Sequence, residues 1–224
     1  MTEASFVEQT RQAYDVLAVE HTDLVRWDPT LAGEPLDRAL LGVFAEWARA
    51  AGDAPVADVG CGSGRITRIL ADLGLDVFGV DLSPEMVRLA QRLYPDLRFS
   101  PGSMLALDLD DGALSGLLAY YSVIHVPWEH RPAVFREFHR VLAPAGVLML
   151  AFPIGDEIRR HDEVDGSRIP PWIAYRQQPD DVVTLLAAAG FDLLVRAVRE
   201  PEPGVDTPAQ GFLLARRPGH VTGR

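Results

Sequence analysis

The stretch VADVGCGSGR, residues 56–65, decides the fold. A short apolar run carries an acid, Asp58, and three glycines follow at alternate positions: Gly60, Gly62 and Gly64. Glycine this dense after a strand marks a chain that bends sharply and lets a ligand approach its backbone. A dinucleotide fingerprint needs G-x-G-x-x-G. Counted from Gly60, that pattern requires glycine at position 65, which is Arg65. The spacing here is D-x-G-x-G-x-G.

Outward from this loop the sequence alternates between two periods. Residues 65–73 read as a helix stopped by Gly74, and 77–80 as a strand ending at Asp81. Ser83-Pro84-Glu85 is a helix start: serine at the N-cap, proline in the first turn, an acid at the positive end. Strands follow at 97–99 and 117–121, then a helix opened by Pro132, a turn at Pro144-Ala145-Gly146 and a fully apolar strand at 147–152. Upstream, 5–20 and 35–51 are amphipathic helices, the first with Phe6, Tyr14, Leu17 and Ala18 on one face, and a loop holds Trp27-Asp28-Pro29. Downstream, 153–179 is charged and then proline-rich, and is expected to be an irregular lid or substrate wall. A helix at 180–189 and strands at 191–199 and 211–216 complete the pattern, with an acidic, proline-rich connection at 200–208 and a frayed tail from 218.

Strand–helix alternation predicts an α/β domain, a parallel sheet with helices on both faces. The expectation is one domain over 1–224: a helical cover at 1–54, a ligand-binding core at 55–152, the lid at 153–179, and a C-terminal helix with two strands at 180–217.

The chain has 224 residues, 48% hydrophobic and 24% charged, the composition of an ordinary globular protein. A net charge of −11 repels phosphate backbones, so nucleic acid is not the expected partner. The chain has no lysine, which excludes Schiff-base, pyridoxal-phosphate and P-loop chemistry. Its single cysteine, Cys61, allows no intramolecular disulfide and no cysteine-rich zinc site. The polar start MTEASFVEQT reads as no signal peptide, and no apolar run approaches a membrane span. Together these give a cytoplasmic expectation, with monomer and homodimer both open.

In an open parallel sheet, ligands bind beyond the carboxyl ends of the strands. Asp58 to Gly64 lies there. So does Asp81, at the separation where an acid meets a ribose and can accept from its hydroxyls. The next strand leads to Gly102-Ser103-Met104, where Ser103 can bond an adenine ring and Met104 can pack on its face.

These segments, together with residues 119–126 and 141–152, resemble the class I S-adenosylmethionine-dependent methyltransferases of small-molecule type. The resemblance runs mainly over 55–152. It implies a Rossmann-like, mostly parallel seven-stranded sheet whose last strand is antiparallel and enters between the fifth and sixth. It implies S-adenosyl-L-methionine as cofactor, its methionine part near Asp58, Gly60, Cys61, Gly62 and Gly64, its ribose on Asp81, with Leu82 and Met86 close by. The Ser103-Met104 pair departs from the commoner Gly-Asp-Ala. Tyr14 matches the cover helix of small-molecule members, in which a tyrosine sits over the sulfonium; an amphipathic anchor is the other reading of Tyr14.

Methyl transfer needs two positioned partners, excluded water, and a base only where the acceptor must lose a proton. His125, in YYSVIHV, is either that base or a residue that orients its loop. Tyr120, Tyr121 and Ser122 are expected to line the donor pocket, Tyr121 fitting plain core packing best. Trp128, Trp172 and Tyr175 are candidates for the wall of an apolar acceptor. His161-Asp162-Glu163 is rejected as a metal site, since adjacent loop residues rarely converge. The strand-four motif is not the Asn/Asp-Pro-Pro-aromatic of amino-methylating DNA enzymes, and a chain without asparagine cannot build the metal-dependent catechol-type site. The expected reaction is O- or N-methylation of a small molecule. The alternatives are an NAD(P)-dependent oxidoreductase and a non-catalytic S-adenosylmethionine-binding protein.

Overall fold

The computed structural model describes residues 2–21, 31, 34–164, 167–201 and 208–219. The loop expected at Trp27-Asp28-Pro29, the connection at 202–207 and the tail beyond 219 lie outside the described residues. The elements run α1 (Glu3–Glu20), α2 (Pro35–Ala51), β1 (Val56–Val59), α3 (Arg65–Asp72), β2 (Val77–Asp81), α4 (Pro84–Leu93), β3 (Arg98–Pro101) and β4 (Leu114–Tyr120). Two one-turn 3₁₀ segments, Val123–His125 and Trp128–His130, lead into α5 (Arg131–Val141). Then come β5 (Leu142–Pro153), β6 (Ile158–Val164), β7 (Ser167–Tyr175), α6 (Pro179–Ala188), β8 (Asp192–Arg199) and β9 (Gln210–Arg216).

Seven strands form one sheet in the order β3-β2-β1-β4-β5-β9-β8. β1 pairs in parallel with β2 and β4, and β4 with β5. The last strand, β9, enters antiparallel between β5 and β8, as the resemblance implied. The strand order reverses about β1, which puts the carboxyl ends of β1 and β4 at the switch point where such sheets take ligands.

Period-2 alternation divides the core into two layers. Leu117, Leu148, Leu150 and Leu213 face α5 and α6, meeting Phe135, Phe138 and Leu186. Their chain neighbours Leu118, Met149 and Leu214 face the other way, onto Leu41 and Phe44 of α2 and Leu70 of α3. Phe44, Phe135 and Phe138 are fully buried. Each such ring stabilises the fold by about 1.5–3 kcal/mol relative to exposure.

Two expectations are corrected. Pro144-Ala145-Gly146 is not a turn before a strand; β5 already begins at Leu142, which pairs with Leu114 before the register slips to Gly116 opposite Val147. The extra residues form a bulge with Ala145 at φ 68°, tied down by its N–H to the Arg217 carbonyl at 2.9 Å. The expected irregular stretch at 153–179 holds the antiparallel hairpin β6–β7, with Ile158 opposite Tyr175 and His161 opposite Trp172. Its charges mislead because β6 is exposed along most of its length. Pro170 and Pro171 are tolerated because they fall where the ladder slips, between the Trp172 and Arg168 pairings.

Candidate functional site

Backbone hydrogen bonds set the loop after β1. Gly60 and Cys61 both donate to the Val80 carbonyl, at 2.7 and 3.1 Å, so the loop folds back onto β2. Gly60 sits at φ 78°, and a Cβ there would lie 2.2 Å from the Ser122 Cβ. Ser122 is fixed in turn, its hydroxyl donating to the Val59 carbonyl at 2.7 Å. Gly62, at φ 54°, faces open space: a Cβ there would meet nothing within 4 Å. One glycine of this loop therefore serves packing, and another leaves main chain exposed to a ligand.

Asp81 ends β2 and is 8% exposed. One carboxylate oxygen accepts the Gly62 N–H at 2.8 Å and the other the Ser83 N–H at 2.8 Å. A carboxylate offers about four acceptor sites, so one on each oxygen remains for ligand hydroxyls. Burial raises the Asp81 carboxyl above its usual range, opposed by the Ser83 and Gly62 hydrogen bonds.

The helix α1 roofs this end of the sheet. Asp15 accepts the Ser83 hydroxyl at 2.6 Å, while Ser83 caps α4 by accepting the Met86 N–H at 3.1 Å. Arg11 holds Asp15 from the other side at 2.6 Å. Tyr14 Oη lies 2.8 Å from His125 Nε2, and His125 Nδ1 lies 3.0 Å from the Ile173 carbonyl of β7. A carbonyl only accepts, so Nδ1 carries the proton and Nε2 accepts from the Tyr14 hydroxyl. Burial lowers the His125 pKa to about 4, keeping the ring neutral. Trp172 stands edge-on to His125 at 5.2 Å between ring centres, and His161 stacks on its other side at 4.0 Å.

Between roof and sheet lies a cleft of about 720 Å³ including its mouth. Of the residues singled out in the sequence, Tyr14, Gly60, Gly62, Asp81, Leu82, Ser103, Met104, Tyr121, Ser122 and His125 line it. Five others do not. Asp58 lies behind the loop, 1% exposed, its carboxylate accepting the Thr67 hydroxyl at 2.7 Å; burial pushes its pKa up to about 7. Cys61 packs among Val87, Ala90 and Phe99. Gly64 caps α3. Met86 packs with Leu17 and Ala18 of α1. Tyr120 donates to the buried carboxylate of Asp37. The two tyrosines, both expected at the pocket, thus part: Tyr120 turns away, and Tyr121 reaches the cleft because its φ of 54° breaks the strand alternation.

Sequence reasoning missed Phe6, Thr10 and Arg11, which also line the cleft. Their signal was present, since Phe6, Thr10 and Tyr14 recur every fourth residue on one helix face. Of the three candidate acceptor-wall aromatics, only Trp172 stands beside His125; Trp128 and Tyr175 gather around Arg131 instead. Among the described residues, no group of three or more His, Cys, Asp or Glu could hold a metal ion, and no helix is long and apolar enough to cross a membrane.

Residues 56–146 match a methyltransferase domain family. A 2-methyl-6-phytyl-1,4-hydroquinone methyltransferase of Synechocystis sp. is 38% identical over 43% of this chain and 31% of its own length. A demethylmenaquinone methyltransferase of Chlorobaculum tepidum is 33% identical over 44% of this chain and 40% of its own. The aligned part thus spans well under half of these relatives. The crystal structure of a 1,6-didemethyltoxoflavin-N1-methyltransferase of Burkholderia thailandensis, with 1,6-didemethyltoxoflavin and S-adenosylhomocysteine bound, superposes with a TM-score of 0.73 at 21% identity, covering 97% of this chain and 91% of that one. The glycine loop and the strand order agree with the methyltransferase domain matched over residues 56–146.

Proposed function

We propose that the chain binds S-adenosyl-L-methionine in the cleft and transfers its methyl group to an oxygen or nitrogen of a small-molecule acceptor. The observation that carries this reading is the pairing, across one cleft, of Asp81 with the open backbone at Gly62. The cleft suits the cofactor: Asp81 retains acceptor sites for ribose hydroxyls, Gly62 leaves room for the methionine part, and Ser103 and Met104 line the same cleft and would meet the adenine. Bound there, S-adenosylmethionine supplies a methyl carbon joined to a positively charged sulfur. Asp58, Cys61, Gly64, Met86 and Tyr120 act one layer out, shaping the loop and the roof rather than touching the cofactor.

The protein's task is then positioning, water exclusion and proton removal. α1 covers the cleft with Tyr14 and His125 at its wall, and the hairpin braces His125 through the Ile173 carbonyl. His125 Nε2 is unprotonated and already accepts the Tyr14 hydroxyl. As an acceptor hydroxyl or amine is methylated, its proton passes to Tyr14, whose own proton moves to Nε2. His125 is thus the general base, and Tyr14 the group that joins it to the acceptor.

Within a single domain, residues 55–152 supply the cofactor core, and α1 covers it, backed by the β6–β7 hairpin. The acidic composition and single cysteine support a cytoplasmic enzyme without a nucleic-acid partner. Calorimetry with S-adenosylhomocysteine tests the donor half, and an acceptor screen that follows S-adenosylhomocysteine formation tests the rest. Micromolar binding with turnover is expected. Binding without turnover across small hydroxyl and amine acceptors would leave a cofactor-binding protein, and binding of NAD(P)H instead would end the methyl-donor reading.

A further inference from the structure

A second cleft is lined by Trp128 and Arg131, by the hairpin ends at Ile158 and Tyr175, and by Gln177 and Asp181. It encloses about 520 Å³ including its mouth and shares no lining residue with the first. Arg131, at the start of α5, lines it with no exposed surface at all. Its Nε donates to the Val126 carbonyl at 3.0 Å, but neither terminal nitrogen has a hydrogen-bond partner. The guanidinium carbon lies 4.6 Å from the centre of the Trp128 ring and 5.6 Å from that of Tyr175. Gln177 lines the same cleft at 2% exposure, and both polar atoms of its side chain are also without partners. Its backbone is anchored, donating to the Pro153 carbonyl at 3.1 Å.

A buried guanidinium whose terminal nitrogens make no hydrogen bond is costly, and an unpaired amide in the same cleft adds to the cost. We propose that this cleft is a carboxylate-binding site, in which the two free nitrogens of Arg131 grip the carboxylate as a fork and Gln177 bonds it from the side. The rim favours a singly charged ligand. Asp156 and Asp181 line the cleft and Glu129 acts on Arg131 from nearby, so a phosphate carrying two charges meets repulsion there. Arg176 is committed to Glu157 at 2.6 Å. The planar fork matches a carboxylate in shape, and the rings of Trp128 and Tyr175 suit a flat apolar body attached to it. Trp128, 41% exposed on a one-turn segment, is the side that moves to admit the ligand. Burial lowers the Arg131 pKa only to about 10, so the group stays cationic at neutral pH.

Benzoate is the probe, titrated by calorimetry into the full chain with and without saturating S-adenosylhomocysteine. Millimolar or tighter binding, unchanged by S-adenosylhomocysteine, is expected, with Arg131→Gln weakening it about tenfold or more. Should Arg131→Gln fail to fold, Gln177→Glu carries the test. It places a carboxylate in the cleft, and is expected to raise the thermal midpoint while abolishing benzoate binding. No benzoate binding, binding displaced by S-adenosylhomocysteine, or a Gln177→Glu variant that melts lower and still binds would each overturn the site. Failure here leaves the proposed methyl transfer standing, because S-adenosylhomocysteine binding is read separately.

Discussion

The glycine loop and the roof face each other across one cleft, yet they are held by different means. The loop is built from main chain: Gly60 and Cys61 donate to Val80, and Asp81 receives the N–H groups of Gly62 and Ser83. The roof is built from side chains that meet across long stretches of sequence. Tyr14 and His125 are 111 residues apart, Ser83 and Asp15 are 68, and His125 and Ile173 are 48. The half of the cleft that would hold a cofactor is thus specified locally. The half that would select an acceptor depends on tertiary packing, and can change while the loop stays intact.

Substitutions can break that contrast, the largest effect first. Gly60→Val places a side chain at positive φ against Ser122, whose position is fixed; a loss of about 3 kcal/mol or more in urea unfolding is expected. Asp81→Ala is expected to weaken S-adenosylhomocysteine binding by about 1.5–3 kcal/mol in calorimetry, as loss of charge-assisted hydrogen bonds. Unchanged affinity would remove its ribose role. Tyr14→Phe removes one hydroxyl from the roof, costing about 1 kcal/mol of stability. In an acceptor assay it is expected to lower kcat while leaving the KM for S-adenosylmethionine unchanged.

The roof also carries a pH signature. The His125 pKa falls from 6.5 to about 4 on folding, so the unfolded chain binds more protons between those values. Its contribution to stability is complete above pH 6.5 and is lost as pH falls towards 4. Asp58 acts oppositely: its pKa rises from 3.8 to about 7, so its contribution is present at low pH and fades as pH climbs through 7. The stability difference between the parent and His125→Gln, followed by unfolding at several pH values, should therefore widen from pH 4 to 6.5. The smallest effect is at Cys61→Ala, about 1 kcal/mol or less with S-adenosylhomocysteine affinity unchanged, because Cys61 packs behind the loop.

The same contrast explains what the sequence made legible. The glycine loop and the Asp81 carboxylate follow from short-range signals, namely a period-2 apolar run, glycine spacing and a serine cap before Pro84, whereas the strand order was implied by the family resemblance. The hairpin was missed because Arg159, Arg160 and Asp162 read as solvated loop, and an exposed strand shows the same composition. Tyr120 was misplaced because its hydroxyl meets the buried Asp37, 83 residues away in the sequence, and nothing local announces that pairing. Arg131 stood in view at the head of its helix, but that its terminal nitrogens lack partners is known only from three-dimensional packing.

The antiparallel insertion of β9 bears on how the protein is made. Residues 147–152 are buried throughout, and one edge of β5 is covered only by β9, which comes later than every other strand described. As the nascent chain emerges, that hydrophobic edge waits unpaired while the hairpin, α6 and β8 are synthesised. An open apolar edge templates association with other chains. Chaperone dependence and inclusion-body formation should therefore respond more sharply to changes in β9 than to equally large changes in the outer strand β3.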